Sequence, residues 1–170
     1  MQDEPIRVVD YDPVWPARFA AERDVLRETI GRWVTGGIHH VGSTAVPRLA
    51  AKPVIDILVG VEDLPSTRAS FDALAAIGYT YVRYRVEVMH WLCKPDRMHR
   101  THHLHLVPTG SERYRAELAF RDSLRADPGL AADYMALKRE LAVRYRHDRD
   151  GYTEAKQDFI AGALARPSPR

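Results

Sequence analysis

The chain has 170 residues, the size of one ordinary domain, and 45% of them are hydrophobic, which excludes global disorder. Lysine and arginine total 25 against 23 aspartates and glutamates, a balance that gives no reason to expect nucleic acid as a partner. No apolar run approaches the roughly 20 residues of a membrane helix, and Cys93 alone cannot form an internal disulfide. We therefore expect a cytoplasmic protein that acts on neither nucleic acid nor membrane.

The first half of the chain is predicted to alternate helices and strands. Apolar residues spaced by three, four and seven predict a helix over residues 14–34, ended by Gly36-Gly37. Residues 38–41 form a predicted short strand, and the aliphatic run 54–61 is typical of a strand covered on both faces. The pattern further predicts a helix over residues 66–77, capped by Ser66. Three strands are predicted to follow, over residues 79–86, 88–93 and 102–107, and the last two strands are expected to pair.

Beyond Pro108 the pattern changes to helices, predicted over residues 111–126, 130–146 and 153–164. The sheet would stay partly uncovered without them, so we expect one domain of α+β class over residues 1–166. Its parts are a sheet-containing core to about residue 108 and a helical part over residues 109–166. Residues 167–170 are predicted to be a tail.

The turn Gly42-Ser43-Thr44, followed by Lys52 and Asp56, is the most informative segment. Gly42 permits a tight turn and close approach of a ligand. The Ser43 and Thr44 hydroxyls would lie at the start of a helical turn over about residues 45–51, where anions are favoured, and Lys52 adds positive charge. Asp56 lies in an aliphatic strand and needs a metal, a cation or hydrogen bonds. The alternative is an ordinary capped turn with Asp56 as a structural acceptor.

These motifs, together with others along the chain, resemble the GrpB family of the polymerase-β-type nucleotidyltransferase superfamily. The resemblance runs nearly end to end, through YDPVWP at residues 11–16, VGSTAVP at 41–47, AAKPVIDI at 50–57, RTHHLHLV at 100–107, FRDSLR at 120–125 and, further on, Tyr134, Lys138, Tyr152-Thr153 and Lys156. It implies a nucleotidyltransferase-like mixed β-sheet with flanking helices and a helical C-terminal third. Lys138 and Lys156 match family positions, although a solvated lysine is the ordinary outcome for such residues.

The sequence also departs from the superfamily pattern. A typical nucleotidyltransferase has a second acid two residues after the first, and here that residue is Leu58. Where a third acid is expected on a neighbouring strand, the chain has His102-His103-Leu104-His105. Arg48 stands where many GrpB sequences have glycine. Some family members are joined to dephospho-coenzyme A kinase, but this chain has no Walker-type phosphate loop.

The histidines allow two chemistries. Strand alternation puts His103 and His105 on one face, so together with Asp56 they could hold a divalent metal such as magnesium, manganese or zinc. Alternatively, either histidine could act as a general base or bind phosphate, with arginines completing an anion site. The candidate arginines are Arg83, Arg85 and Arg100. Structural histidines at a sheet edge are the third possibility.

Arg121 and Arg125, four residues apart on a predicted helix, share one face. They either grip an acidic ligand or form salt bridges with Asp122 and its neighbours. For the whole chain, the resemblance implies a transferase that acts on a small molecule with a nucleoside triphosphate or another phosphate-bearing donor. A non-catalytic module that binds a nucleotide or a coenzyme A precursor, and a metal-dependent hydrolase, are the alternatives.

Overall fold

The computed structural model describes residues 5–166, which form one five-stranded mixed sheet flanked by helices. The strands are β1 (Val34–Val41), β2 (Ile55–Val61), β3 (Thr80–Val82), β4 (His90–Pro95) and β5 (Arg100–Pro108). They are arranged in the order β1-β2-β5-β4-β3. The central pair β2 and β5 is parallel, and every other pair is antiparallel. The expected α+β class is confirmed.

Seven helices accompany the sheet in the described part of the chain: α1 (Trp15–Ile30), α2 (Leu64–Thr67), α3 (Phe71–Ala76), α4 (Glu112–Ala126), α5 (Pro128–Arg144), α6 (Arg149–Glu154) and α7 (Gln157–Leu164). The side chains of Ser111, Asp127 and Asp148 accept backbone N–H groups at the starts of α4, α5 and α6. The predicted helical region after Pro108 is confirmed. The predicted tail at 167–170 lies outside the described residues, and the single-domain boundary stays a prediction.

The prediction for residues 31–41 was wrong in its boundaries. The first helix ends at Ile30, and Gly36-Gly37 lie inside β1 instead of ending the helix. The glycines are needed in this strand for close packing, because a Cβ on Gly60 in the adjacent strand would overlap the Cα of Gly36. Glycine lets the two backbones approach at this irregular part of the β1–β2 pairing.

Two further elements differ from the prediction. The helix expected from Ser66 begins at Leu64, because the Asp63 carboxylate accepts the Ser66 N–H at 2.7 Å, and a 3-10 turn separates α2 from α3. The strand expected to reach residue 86 ends at Val82. Arg85, in the following loop, has a φ of 46°, which an extended strand does not accommodate.

The sheet is covered on both faces. Ile55, Ile57, Val59 and Val61 of β2 belong to the larger core cluster, which also includes side chains of α1. Leu58 lies in a second cluster that packs against Leu118 of α4. Asp56 has the same strand parity as Leu58, so it shares the α4 side of the sheet. None of the helices within residues 5–166 combines the length and the apolar composition of a membrane-spanning segment.

Candidate active site

Asp56 and His103 meet across the two parallel strands at the centre of the sheet. The register pairs Asp56 of β2 with His103 of β5. Their side chains are joined by a hydrogen bond in which His103 Nδ1 lies 2.8 Å from Asp56 Oδ1. The structure therefore brings together the acid and one of the two histidines singled out in the sequence.

Gly42 is required by this carboxylate. Its φ is 70°, and a Cβ at this position would overlap the Asp56 carboxylate. The Gly42 backbone thus packs directly against the acid, and glycine is the residue that permits both the left-handed backbone and the contact. The group that closely approaches Gly42 is thus the chain's own Asp56, where the sequence predicted a ligand.

The segment after Gly42 is a single 3-10 turn, Ser43–Ala45, where a helical turn over residues 45–51 was expected. So short a turn has no appreciable helix dipole to attract an anion. The Thr44 side chain is buried, and its hydroxyl lies 2.9 Å from His40 Nε2, which gives it a structural partner. Arg48, just beyond the turn, has a φ of 66°, a backbone conformation that favours glycine.

Positive charge beside the turn comes from lysines instead. Lys138 of α5 is 2% exposed and donates to the Ser43 hydroxyl at 2.9 Å and to the Ala50 carbonyl. The ammonium groups of Lys156 and Lys52 lie 4.3 and 5.2 Å from the Tyr152 ring. All three lysines line a cavity of about 60 Å³ together with Ser43, Thr44, Asp56 and His103. We call this the lysine cavity.

The ordinary interpretation of Lys138 as a solvated residue was wrong, because its side chain is buried, and Lys156 is partly buried. Burial, reinforced by the charge of Lys156, lowers the pKa of Lys138 to about 7. Burial and the charge of Lys52 lower the pKa of Lys156 to about 8. Positive charges crowded in a small buried space favour loss of protons or acquisition of an anion. The sequence signals of this role were the match to family positions and, for Lys138, its four-residue spacing from Leu130 and Tyr134.

The acid and its histidine partner are held in defined charge states. Burial alone would raise the pKa of Asp56, but the hydrogen bond from His103 and the nearby positive charges lower it to about 2. Burial lowers the pKa of His103, against the opposing effect of Asp56. At neutral pH the pair is therefore a carboxylate and a neutral imidazole that donates from Nδ1. His103 Nε2 is buried and has no hydrogen-bond partner among the described residues.

The three-ligand metal set proposed from the sequence is not assembled. His105 does lie on the same face as His103, but its Nδ1 lies 3.0 Å from Glu117 Oε2, and Glu117 also pairs with Arg113 at 2.8 Å. Glu117, on α4, is a residue that the sequence analysis missed, because an acid on a charged helix resembles a surface residue. Within residues 5–166, no group of three or more His, Cys, Asp or Glu side chains could hold a metal ion.

The residues present do not fit a two-magnesium centre. Such a centre needs several oxygen ligands, and at the position of the expected second acid the fully buried Leu58 packs in the core under α4. Among the described residues, Asp56 is the only carboxylate that lines the lysine cavity. The positive charges that surround this carboxylate are those of the three lysines.

Of the arginines predicted to bind a ligand, Arg100 lines a cavity, whereas Arg85 and Arg121 do not. Arg100 lies with its guanidinium 4.9 Å from the Trp91 ring and lines a second, larger cavity of about 340 Å³, which His103 and Lys52 also line. Arg121 pairs with Asp122 at 2.7 Å, as its salt-bridge interpretation predicted, and donates to the His40 carbonyl at 3.2 Å. Arg85 lies over Tyr84. Neither Arg121 nor Arg85 lines either cavity.

The comparisons with known proteins agree on one family. A family model described as "GrpB protein" matches residues 5–166. A UPF0157 protein of Pseudomonas aeruginosa is 39% identical, over 96% of this chain and 68% of its own length. A protein of Mycolicibacterium paratuberculosis named dephospho-CoA kinase is 32% identical over 95% of this chain, which spans only 46% of that longer protein.

Solved structures extend the comparison to the fold. The crystal structure of the conserved protein GrpB from Enterococcus faecalis matches with a TM-score of 0.84 and 33% identity, over 93% of this chain and 94% of the other. The Cid1 poly(U) polymerase, in a crystal structure of a mutant bound to MgATP, matches with a TM-score of 0.56 and 14% identity, over 80% and 45%. The second match shows a nucleotidyltransferase-like fold and nothing more.

Proposed function

The chain belongs to the GrpB family, and on that basis we propose that it transfers a group from a nucleotide or another phosphate-bearing donor to a small molecule. One observation carries the proposal. Three lysines and the Ser43 hydroxyl line a cavity whose wall also contains the hydrogen-bonded pair of Asp56 and His103. The lysines, which can neutralise the charge of a phosphate, thus lie beside the Asp56–His103 pair, which can accept a proton.

The lysine cavity suits a phosphoryl group. Lysine is a compact cationic donor that commonly binds phosphate, and Lys138 is already oriented by Ser43 and the Ala50 carbonyl. Burial and the charge of a neighbouring lysine, Lys156 for Lys138 and Lys52 for Lys156, lower the pKa values of these two residues. A bound anion would offset both effects. Binding of a polyphosphate should therefore be accompanied by proton uptake near pH 8.

The Asp56–His103 pair supplies the proton acceptor of the proposed step. The carboxylate accepts the Nδ1–H of His103, which leaves Nε2 as the basic nitrogen. In the transfer, an acceptor oxygen or nitrogen bonds to the donor phosphorus while its proton goes to Nε2. The bond from that phosphorus to the leaving phosphate oxygen breaks, and the lysines neutralise the charge that develops on the leaving group.

A binding module remains the second candidate, and Leu58 is the observation that favours it. Leu58 occupies the place of the expected second acid and is fully buried. A chain that binds phosphate without turnover would keep the lysine cavity and have no need of that acid. This candidate predicts affinity for a nucleotide or a coenzyme A precursor that does not depend on Asp56 as a reactive group.

Calorimetric titration with inorganic triphosphate and ATP, with and without magnesium, tests the binding step. Lys138→Met should weaken binding about tenfold or more, since a hydrogen bond to a charged group contributes about 1.5–3 kcal/mol. The matched control is Arg139→Gln on the same helix, because the exposed Arg139 pairs with Asp10 at the surface. Absence of binding to the wild type, or equal effects of the two substitutions, would exclude both candidates.

Mass spectrometry of ATP incubated with panels of small acceptors then separates the two candidates. A transferase should release pyrophosphate or phosphate together with a modified acceptor, and Asp56→Asn should abolish the product while triphosphate still binds. ATP binding without product from any panel, unchanged by Asp56→Asn, would favour the module.

A further inference from the structure

Lysine is rare in this chain, and its distribution is uneven. Of the 25 lysine and arginine residues only four are lysines, namely Lys52, Lys94, Lys138 and Lys156. Three of them line the lysine cavity, and the fourth, Lys94, pairs with the Glu22 carboxylate at 3.0 Å. An arginine keeps its charge at every physiological pH, whereas a lysine can lose a proton and become a nucleophile. The chain therefore concentrates in one cavity the side chains that amine chemistry requires.

The amine of Lys156 is the one available for reaction. Lys138 Nζ donates to the Ser43 hydroxyl and to the Ala50 carbonyl, so it is already held in place. Lys156 is half-buried, and its ammonium contacts the face of the Tyr152 ring at 4.3 Å. No hydrogen bond or ion pair joins it to another of the described residues. We propose that Lys156 is a nucleophilic amine that forms an imine with a small aldehyde bearing a phosphate.

The surroundings of Lys156 keep part of its amine neutral. Burial is the main reason that its pKa is lowered to about 8. At pH 8 about half of the Lys156 side chains are therefore neutral, compared with about 0.3% of amines that have the ordinary pKa of 10.5. Desolvation of this kind is a general way to activate a lysine for attack on a carbonyl carbon.

Imine formation consumes only the aldehyde. The lone pair of Lys156 Nζ attacks the carbonyl carbon, and one N–H proton passes to the carbonyl oxygen. The second N–H proton follows as the C–O bond breaks and the C=N bond forms, so that water leaves. His103, which lines the same cavity, can carry these protons through Nε2. Asp56, the one carboxylate lining the cavity among the described residues, offsets the charge of the protonated imine.

The remaining walls of the lysine cavity select the aldehyde by size and charge. A volume of about 60 Å³ holds roughly four water molecules, which limits the ligand to a phosphate with a carbon body of about two or three atoms. The phosphate would lie against Lys138 and the Ser43 hydroxyl. This phosphate preference rests on the proposed function, in which Lys138 binds the donor phosphate, whereas the nucleophilic character of Lys156 does not.

Reductive trapping at pH 8 with glycolaldehyde phosphate and sodium cyanoborohydride tests the proposal. Reduction converts the imine into a stable secondary amine, and peptide mass spectrometry counts the adducts at each lysine. Labelling of Lys156 should be at least about tenfold faster than labelling of Lys94, whose amine is held by Glu22. Glycolaldehyde, which lacks the phosphate, should need about a tenfold higher concentration for half-maximal labelling. Equal labelling of the two lysines, or equal concentrations for the two aldehydes, would overturn the proposal.

Three substitutions locate the two parts of the site. Lys156→Arg keeps the positive charge without the nucleophilic amine, so total labelling should fall to the level of Lys94. Lys94→Arg, the matched control, should leave labelling of Lys156 within about twofold. Lys138→Met should raise the half-maximal concentration of glycolaldehyde phosphate and leave that of glycolaldehyde within about twofold. Total labelling unchanged in Lys156→Arg, or both concentrations unchanged in Lys138→Met, would contradict the assignment.

The outcomes also separate the imine site from the proposed function. If glycolaldehyde phosphate labels Lys156 selectively while triphosphate and ATP do not bind, the imine site stands and the transferase proposal fails. If ATP binds and yields a transfer product while neither aldehyde forms an adduct at Lys156, the proposed function stands and the imine site fails.

Discussion

His103 Nδ1 lies 2.8 Å from Asp56 Oδ1 across parallel strands, and the two residues are direct register partners. The contact therefore depends on the pairing of β2 with β5, two strands separated in the chain by α2, α3, β3 and β4. It holds the imidazole in one orientation and keeps the carboxylate ionised at any pH above about 2. The electrostatic coupling between the two groups can be measured directly.

Asp56→Asn should lower the pKa of His103 further, because burial would then act without the opposing carboxylate charge. Titration of the imidazole by nuclear magnetic resonance measures the shift. Glu117→Gln is the control, since Glu117 pairs with His105 instead. A His103 pKa that rises or stays constant in Asp56→Asn would show that the pair is not coupled as described.

Glu117→Gln should lower the pKa of His105, just as Asp56→Asn should lower that of His103, but from a wild-type value that is raised instead of lowered. The pKa of buried His105 is raised above its ordinary value because Glu117 overcomes the effect of burial, and without that charge it should fall below 6.5. A raised folded-state pKa stabilises the fold below the unfolded pKa, and this contribution disappears as pH rises through the folded pKa. The substitution should therefore cost about 1–3 kcal/mol at pH 5.5 and less at pH 8.5.

Urea unfolding of the wild type and Glu117→Gln at the two pH values measures this difference. Glu140→Gln, an exposed acid on α5, should show no comparable pH dependence. An equal cost of Glu117→Gln at pH 5.5 and pH 8.5 would mean that His105 and Glu117 do not form the charge pair.

Strand parity predicted correctly that His103 and His105 share a face, because alternation is a local property of an extended chain. Which of them meets Asp56 depends on the β2–β5 register, which local sequence does not determine. The metal set failed for the same reason, since His105 is two positions further along and reaches Glu117 on α4. The fold class, read from apolar periodicity, needed no such long-range information.

The burial of Lys138 illustrates a second limit. On α5 it follows Leu130 and Tyr134 at four-residue spacing, so it lies on the inward stripe of the helix, but its charge favours a surface interpretation. Burial arises because the Ser43 hydroxyl and the Ala50 carbonyl accept its protons. Those partners are about 90 residues away in the chain, so only the tertiary structure reveals them.

Lys138→Met should flatten the dependence of stability on pH. The folded-state pKa of Lys138 is about 7, below its ordinary value of 10.5, so between these values the unfolded state binds more protons. The free energy of unfolding of the wild type should then rise with pH across this window, by up to about 1.4 kcal/mol per pH unit from this group. Urea unfolding at pH 7, 8 and 9 should show the contribution in the wild type and in Arg139→Gln, and its absence in Lys138→Met. A slope unchanged by Lys138→Met would contradict the lowered pKa.

Gly42→Ala tests whether the turn is shaped by the carboxylate behind it. Gly42 and Gly110 have nearly the same φ, 70° and 73°, but a Cβ on Gly110 meets nothing within 4 Å, while one on Gly42 overlaps Asp56. Gly110→Ala should therefore cost only the backbone strain, about 1 kcal/mol. Gly42→Ala should cost about 1–3 kcal/mol more, because the carboxylate must move. Denaturant unfolding of both variants gives the difference, and equal costs would refute the contact.

A double-mutant cycle identifies the clashing group. In an Asp56→Ala background the carboxylate is gone, so adding Gly42→Ala should cost at least about 1 kcal/mol less than it does in the wild type. Gly110→Ala, combined with the same background, should show no such coupling because its Cβ has no neighbour. Coupling at Gly42 alone would mean that the turn and the acid form one unit, in which glycine at residue 42 is what allows a charged side chain at residue 56 to face the lysine cavity.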